Sequence, residues 1–215
     1  MKKIKTIIRK WISRFTTFLI IIATLPVIGQ VNDQGKKNQK SPSIVFREKS
    51  GRLDSSFKNP KPDVINSSEN CVRYQRNAEV KYDYLKLTLN NELKNSIISH
   101  MEKAGKEPIK FRMKCYSSAP AGTKIEMLVG KNIGEKDYPD GTLGQFKTKT
   151  TSSGKWEELE FEFIQTPNGS TVSANQINQI TLLFNPESSS SDYFYFDINI
   201  TPVTKNNSSN KIIKD

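Results

Sequence analysis

The stretch DYFYFDINI, residues 192–200, alternates polar and large apolar side chains from Tyr193 onward. From that residue, one parity holds only phenylalanine and isoleucine, and the other holds tyrosine, aspartate and asparagine. Successive side chains of a strand point to opposite faces of a sheet. The pattern therefore predicts a strand that buries one face and presents the other.

The same period of two recurs along the chain. It predicts eight strands, at 72–75, 82–89, 109–116, 123–129, 143–150, 156–163, 177–184 and 193–200. Turn sequences rich in Gly, Pro, Asn and Ser separate them. Helical spacing is found only near 91–104, with Gly105 as the stop. Strands of this number with one short helix predict an all-β, antiparallel, two-sheet sandwich of the jelly-roll type.

Four segments carry a family resemblance. They are NPKPDVINSSENCVRY at 59–74, FRMKCYS at 111–117 followed by GTK at 122–124, GKWEELEFEF at 154–163, and YFDI at 195–198. In this order and spacing they resemble galactose-binding-like carbohydrate-binding modules of the CenC type, which occur in exported bacterial proteins. The resemblance covers residues 59–202 and implies a jelly-roll module that binds glycans without catalysis.

The N-terminus has the pattern of a secretory signal peptide. The first fourteen residues carry six basic side chains and no acidic one, and residues 15–28 are uncharged and mostly apolar. We expect a signal peptide over 1–29, cleaved near Gly29. The apolar run is shorter than the roughly 20 residues that span a bilayer. We therefore expect no stable membrane insertion and a secreted, periplasmic or cell-surface location.

The formal net charge of +11 is concentrated at the ends of the chain. Residues 59–203 carry seventeen basic and eighteen acidic side chains, so the predicted domain is nearly neutral. A nucleic-acid-binding surface would need Lys and Arg clustered on the domain, so this class is not expected. Polar composition predicts a disordered linker at 30–58 and a disordered tail at 204–215.

Two cysteines in a chain that is expected to be exported suggest a disulfide. Cys115 shares parity with Phe111 and Met113 and should face the core. Cys71 is out of phase with its apolar neighbour Val72. The sequence leaves both a bridge and two free thiols open.

Tyrosines supply the candidate ligand-binding surface. Tyr82 and Tyr84 fall on the face opposite the inward leucines of the same predicted strand. Aromatic rings pack against the C–H faces of sugars without a deep pocket. Tyr138 in a long loop would form a rim, and Gln145 and Lys147 would bind hydroxyls. The alternative is that these tyrosines are half-buried residues paired across the sheet.

Catalysis receives little support from the sequence. Glu158, Glu160 and Glu162 share one strand face at intervals of about 6–7 Å, near the carboxylate separation of inverting glycosidases. However, a catalytic acid must be desolvated, and three acids on an open face stay hydrated. The single histidine, His100, has no nucleophile elbow beside it, and the cysteines do not suggest zinc. We expect no enzyme activity.

A structural Ca²⁺ is implied by the resemblance alone. Related sandwiches often hold Ca²⁺ between the first loop and the last strand, which implies Asn66, Glu69 and Asp197 as oxygen donors here. Calcium takes six to eight oxygens. The alternative is that Asp197 binds neighbouring backbone.

The sequence thus predicts an exported, non-catalytic carbohydrate-binding module that recognises a polysaccharide or glycan through a tyrosine-bearing sheet face. The alternative is a structural or adhesion subunit that binds another protein through a sheet face or edge. The identity of the sugar and the oligomeric state are left open.

Overall fold

The computed structural model of the chain describes residues 44–105, 107–134 and 137–203. The predicted signal peptide, the first part of the predicted linker and the predicted tail lie outside these residues. The described strands are β1 (Ile44–Lys49), β2 (Arg52–Lys58), β3 (Asn70–Gln75), β4 (Tyr84–Leu89), β5 (Lys110–Ser117), β6 (Lys124–Gly130), β7 (Thr142–Lys149), β8 (Trp156–Gln165), β9 (Gln179–Phe184), β10 (Tyr193–Phe196) and β11 (Thr201–Val203). The helical elements within these residues are α1 (Asn91–Ala104) and a 3-10 turn (Ala174–Gln176).

The described strands pair antiparallel and form two sheets that share β8. Sheet A has the order β1, β4, β9, β6, β7, β8, and sheet B has the order β8, β5, β10, β3, β2, with β11 also on β5. The first half of β8 pairs with β5 and its second half with β7, so this strand passes from one sheet into the other. The predicted all-β, antiparallel jelly-roll sandwich is confirmed.

The core lies between the inner faces of the two sheets. Its members at 1% exposure or less include Leu85, Leu87, Phe111, Met113, Ile125, Met127, Phe161, Phe184, Phe194 and Phe196. Burial of each such side chain contributes about 1.5–3 kcal/mol. Alternate positions on these strands are mostly polar, so the outer faces of both sheets meet solvent.

The 192–200 stretch joins the two sheets through its phenylalanines. Phe194 and Phe196 in sheet B lie 4.6 and 5.7 Å, between ring centroids, from Phe184 in sheet A. This confirms the buried parity. The strand is shorter than predicted, because β10 ends at Phe196 and the chain resumes pairing only at Thr201.

The predicted disordered linker at 30–58 is wrong from residue 44 onward. β1 pairs with β4, with Val45 opposite Thr88, and β2 pairs with β3, with Leu53 opposite Tyr74. The two strands are the outermost members of their sheets. An edge strand gains main-chain hydrogen bonds while burying few side chains, so its composition can be as polar as that of a linker.

Helix α1 begins and ends where its sequence predicts. The side chain of Asn90 caps it by accepting a hydrogen bond of 2.8 Å from the Leu93 N–H. Gly105 ends it with a φ of 61°, a left-handed value that glycine adopts at low cost. None of the helices in the described ranges has the length and apolar character needed to cross a membrane.

The two thiols lie on opposite faces of sheet B and are not bridged. Cys115 is fully buried in the core. Val72 stands opposite Phe196 on the core face, so its neighbour Cys71 points to the outer face, where it is covered beside β2. Both cysteines are free.

Candidate functional site

The outer face of sheet A carries a cleft of about 620 Å³. Its lining comes from β6, β7, β9 and three flanking segments and consists of Tyr82, Lys124, Glu126, Leu128, Tyr138, Gln145, Lys147, Leu183, Pro186 and Glu187. The strand residues among them have the opposite parity to the core residues of the same strands. The volume is within the range of about 300–1,000 Å³ that small ligands occupy.

The floor of the cleft is a chain of paired polar side chains. Lys147 Nζ lies 3.2 Å from Glu126 Oε1, and Gln145 Nε2 donates to Glu126 Oε2 at 3.0 Å. Gln165 Nε2 in turn donates to Gln145 Oε1 at 3.0 Å. Both ends of the Gln145 amide are therefore engaged, which fixes its orientation within the floor.

One wall of the cleft pairs Tyr82 with Glu187. Tyr82 is 52% exposed, and its hydroxyl donates a hydrogen bond of 2.9 Å to Glu187 Oε1. This hydrogen bond and the negative charge of Glu187 raise the pKa of Tyr82. The ring is held at one end while its body remains accessible.

The loop that follows β6 supplies Tyr138, which is 53% exposed. Its neighbour Asp137 anchors this loop to sheet A. Lys86 Nζ lies 3.0 Å from Asp137 Oδ2, Gln179 Nε2 donates to that oxygen at 2.7 Å, and the Ile133 N–H donates to Oδ1 at 3.1 Å. Burial acts to raise the pKa of Asp137, but these contacts outweigh it and hold the pKa below 3.8.

This arrangement suits a polyhydroxylated ligand. Two exposed tyrosine rings offer apolar surfaces, and the floor offers an oriented amide, which can donate and accept hydrogen bonds, and the Glu126 carboxylate, which accepts them. The charges on the floor are paired with each other, since Lys147 contacts Glu126. The cleft can therefore receive an uncharged ligand without leaving these two groups unsatisfied.

Four of the five predicted ligand residues line this one cleft: Tyr82, Tyr138, Gln145 and Lys147. Tyr84 does not, and instead lines a separate depression beside Phe46, although its Cα stands opposite Leu183 of the cleft. The sequence argument placed Tyr82 and Tyr84 on one face of a single strand. It fails because β4 begins only at Tyr84. Ligand contact by these residues stays a prediction.

Sequence reasoning missed Glu126 and Glu187. Glu126 lies on the outer face of β6, and its Cα stands opposite that of Lys147 on β7. An acidic residue at an outward position of the strand that pairs with β7 could therefore have been selected from the sequence. Glu187 lies in the loop after β9, and no local pattern places it beside Tyr82, which is 105 positions away in the chain.

The glutamate row on β8 is tied into ion pairs. Lys110 Nζ lies 2.7 Å from both Glu160 Oε1 and Glu162 Oε1, and Arg112 donates to Glu160 Oε2 at 2.9 and 3.0 Å. Chiefly through the hydrogen bond from Lys110, the pKa of Glu160 falls below 4.5. A general acid needs the opposite shift. Glu158 is exposed.

The proposed calcium donors are largely occupied by backbone. Asn66 Oδ1 accepts from the Ser68 N–H at 3.1 Å, and Asp197 Oδ1 accepts the backbone and side-chain N–H groups of Asn199 at 3.1 and 2.8 Å. Glu69 is exposed. The described part of the chain holds no group of three His, Cys, Asp or Glu side chains suited to a metal ion. These contacts favour the hydrogen-bonding alternative for Asp197, and calcium stays a prediction.

Two of the motif segments meet in the fold. Trp156 Nε1 donates a hydrogen bond of 3.0 Å to Asn59 Oδ1, and both residues are buried. Asn59 Nδ2 donates to the carbonyls of Asn66 and Ser68 at 3.1 and 2.9 Å. These residues hold the first segment on the outer face of sheet B, away from the cleft.

Comparison with known proteins gave matches only among solved structures. No protein-family model and no curated protein matches the chain. The backbone is similar to a family 11 carbohydrate-binding module from Clostridium thermocellum, solved with a β-1,3-1,4-mixed-linked tetrasaccharide, at 13% identity, 77% of this chain, 91% of that chain and a TM-score of 0.43.

Two further structures show a comparable level of similarity. A family 30 carbohydrate-binding module matches at 11% identity, 76% of this chain, 95% of that chain and a TM-score of 0.45. SGBP-B from a complex xyloglucan utilization locus in Bacteroides uniformis matches at 10% identity, 75% of this chain, 47% of that chain and a TM-score of 0.42. At this level the comparison does not assign a ligand to the chain.

Proposed function

We propose that the chain is an exported, non-catalytic carbohydrate-binding module that holds a glycan chain in the cleft on sheet A. The observation that carries this proposal is that Tyr82 and Tyr138, each more than half exposed, line one cleft. Between them lies a floor whose polar groups are already oriented by hydrogen bonds. Tyrosine rings pack against the apolar faces of a sugar, and an oriented amide and carboxylate bind its hydroxyls.

The motifs support the same class of function. The segments at 59–74, 111–117 with 122–124, and 154–163 resemble CenC-type carbohydrate-binding modules. Apart from Lys124, which lines the cleft, their residues build the sandwich. The signal-peptide pattern supports export to a periplasmic, secreted or cell-surface location. Mass spectrometry of the protein recovered from outside the cytoplasm tests this, because cleavage near Gly29 removes a defined mass. An intact N-terminus would contradict it.

Glycan binding is tested by affinity electrophoresis of the full chain. Gels contain mixed-linkage β-1,3-1,4-glucan, xyloglucan, xylan, galactomannan, laminarin or pectin, and pull-downs use cellulose and chitin. We expect retardation or capture by at least one polysaccharide. Tyr82→Ala and Tyr138→Ala should each weaken binding about tenfold or more, since each removes a stacking surface.

The control is Tyr193→Ala, which removes a partly exposed tyrosine from the outer face of sheet B and should leave binding intact. Failure to bind any member of the panel would overturn the proposed function. Binding that is indifferent to both cleft substitutions would move the site away from the cleft.

A protein-binding role is the second candidate, favoured by an aromatic cluster on the outer face of sheet B. Tyr195 contacts Phe57, Tyr116 and Tyr193 at centroid distances of 5.7, 5.4 and 6.3 Å. Arg73 lies 3.9 Å above the Phe57 ring. Aromatic residues and Arg are enriched at protein interfaces. If no glycan binds, crosslinking of the full chain at its site of export, with Tyr195→Ala as control, tests this candidate.

A further inference from the structure

Two residues of the loop after β9 have left-handed backbone. Asn185 has a φ of 50° and Glu187 a φ of 70°. Asparagine tolerates this region, but glutamate gains nothing from it and is strained there. Such strain persists only where the surrounding structure holds it, and it is concentrated at functional sites.

Arg76, the residue that follows β3, holds this loop. Its side chain is only 2% exposed and donates six hydrogen bonds, all to main-chain carbonyl oxygens. Three acceptors belong to the segment before β4, at Asn77, Val80 and Lys81, and three belong to the end of β9 and the following loop, at Phe184, Asn185 and Ser190. One guanidinium therefore binds both segments that form the Tyr82 wall of the cleft.

The two segments also meet directly at the cleft. The carbonyl of Lys81 accepts from Arg76 Nη2 at 3.2 Å and from the Glu187 N–H at 2.8 Å. The next residue is Tyr82, whose hydroxyl donates to Glu187 Oε1. The left-handed backbone at Glu187 thus brings its carboxylate to the Tyr82 hydroxyl, and Glu187 is one of the residues that line the cleft.

We propose that Glu187 is a ligand-binding residue and that Arg76 is its positioning residue. Tyr82 and Glu187 form a clamp in which Oε1 orients the ring and Oε2 accepts a hydrogen bond from a sugar hydroxyl beside that ring. Arg76 maintains the strained loop, so the clamp exists before the ligand binds and less ordering is required on binding. The ligand-binding part of this inference rests on the proposed function.

The backbone strain is tested with two substitutions at one position. Glu187→Ala removes the carboxylate and keeps a Cβ at the left-handed φ, whereas Glu187→Gly removes both. We expect the glycine variant to melt about 2–4 °C above the alanine variant, because only glycine escapes the strain. Equal melting temperatures would overturn the claim of strain, and this readout requires no ligand.

Binding is measured by titration calorimetry with mixed-linkage β-1,3-1,4-glucan, or with the tightest-binding polysaccharide of the panel if that glucan is not bound. Both Glu187 variants should bind about tenfold more weakly than the wild-type chain, since each loses a charged hydrogen-bond acceptor. Arg76→Lys keeps the positive charge but loses most of the donors, and we expect a loss of similar size in protein that circular dichroism shows to be folded.

The double variant separates positioning from general destabilisation. If Arg76 acts through Glu187, then Arg76→Lys combined with Glu187→Ala should bind no more weakly than Arg76→Lys alone. Asn59→Ala, a buried polar substitution on sheet B, is the destabilised control and should retain wild-type affinity. If the losses of affinity in the double variant are additive, Arg76 has only a structural role. If Arg76→Lys fails to fold, the two Glu187 variants still test the clamp.

The outcomes distinguish this inference from the proposed function. If the wild-type chain binds no polysaccharide, the proposed function fails and the ligand-binding role of Glu187 fails with it. If the wild-type chain binds and both Glu187 variants bind equally well, only the clamp is overturned.

Discussion

Lys86 Nζ lies 3.0 Å from Asp137 Oδ2, and the two side chains are only 9% and 12% exposed. This contact joins β4, the strand next to the β1 edge of sheet A, to the loop after β6 that carries Tyr138. An ion pair so little exposed is weakly screened by solvent and strongly dependent on geometry. The position of the Tyr138 wall therefore depends on the charge of Asp137.

Asp137→Asn should loosen this wall while preserving the shape of the side chain. We expect a loss of about 1–3 kcal/mol in the free energy of unfolding, because the hydrogen bonds made by the carboxylate lose their charge assistance. Glycan affinity should fall as well. Asp140→Asn is the matched control, since it makes the same chemical change at an exposed position of the same loop. Urea denaturation measures the first effect, and equal stability of the two variants would contradict it.

The lowered pKa of Asp137 also predicts how the stability of the chain changes with pH. The pKa of Asp137 lies below 3.8 in the folded chain, so its contribution is fully present above pH 3.8 and is lost as the pH falls through the lowered pKa. The difference in melting temperature between the wild-type chain and Asp137→Asn should therefore be constant near neutral pH and shrink below pH 3.8. A difference that grows on acidification would contradict the assigned direction.

Both thiols should resist alkylation in the folded chain. Burial, followed by the charges of Asp197 and Asp54, raises the pKa of Cys71 from 9.0 to about 11. Burial and the charge of Glu157 raise the pKa of Cys115 further. At pH 8 the thiolate fraction of Cys71 is thus lowered about a hundredfold, and the thiolate is the reactive form.

Mass spectrometry after iodoacetamide treatment without reductant checks the state of both cysteines. Two adducts should form quickly in guanidinium chloride and slowly, if at all, in native buffer. A denatured chain that takes up no adduct would show a disulfide, and rapid native labelling would show that the thiols are accessible.

The strands inside the sandwich were predictable because burial acts on one face of each. Phe111 and Met113 on β5 alternate with charged residues. Gln145 and Lys147 were selected because they follow the Tyr138 loop, and they lie on either side of the buried Phe146 on β7. Strands β1 and β2 were not predictable in this way. They lie at the sheet edges, where main-chain pairing rather than apolar burial stabilises them.

The cleft was predictable only where its residues lie on regular strands or in exposed loops. Tyr82 was selected on the assumption that it lies in a strand, yet it precedes β4 and reaches the cleft through the turn held by Arg76. Glu187 required knowledge that the loop after β9 folds back on that turn. Contacts between distant loops depend on tertiary packing, which one-dimensional periodicity does not encode.

A glycine pair fixes the course of the Tyr138 loop where it leaves and rejoins the sheet. A Cβ added at Gly130 would overlap the carbonyl oxygen of Gly141, a main-chain atom that cannot move alone. Gly130→Ala should therefore displace this loop, cost about 1–3 kcal/mol and weaken glycan binding. Gly122→Ala is the matched control. Its φ of 87° also penalises alanine, but it lies in open space in another turn, so it should lower stability and leave binding unchanged.

A substitution on sheet B should lower the stability of the chain without changing its affinity for glycan. Trp156→Phe removes the indole N–H that donates 3.0 Å to Asn59 Oδ1, and it also leaves a void in a buried site. We expect a loss of about 1–3 kcal/mol from the free energy of unfolding, measured by urea denaturation. Glycan affinity below the unfolding transition should stay at the wild-type value, because Trp156 contacts the first segment and Tyr116 rather than the cleft. If Trp156→Phe weakened binding as much as Tyr82→Ala does, the ligand would contact sheet B, and the cleft on sheet A would not be the site.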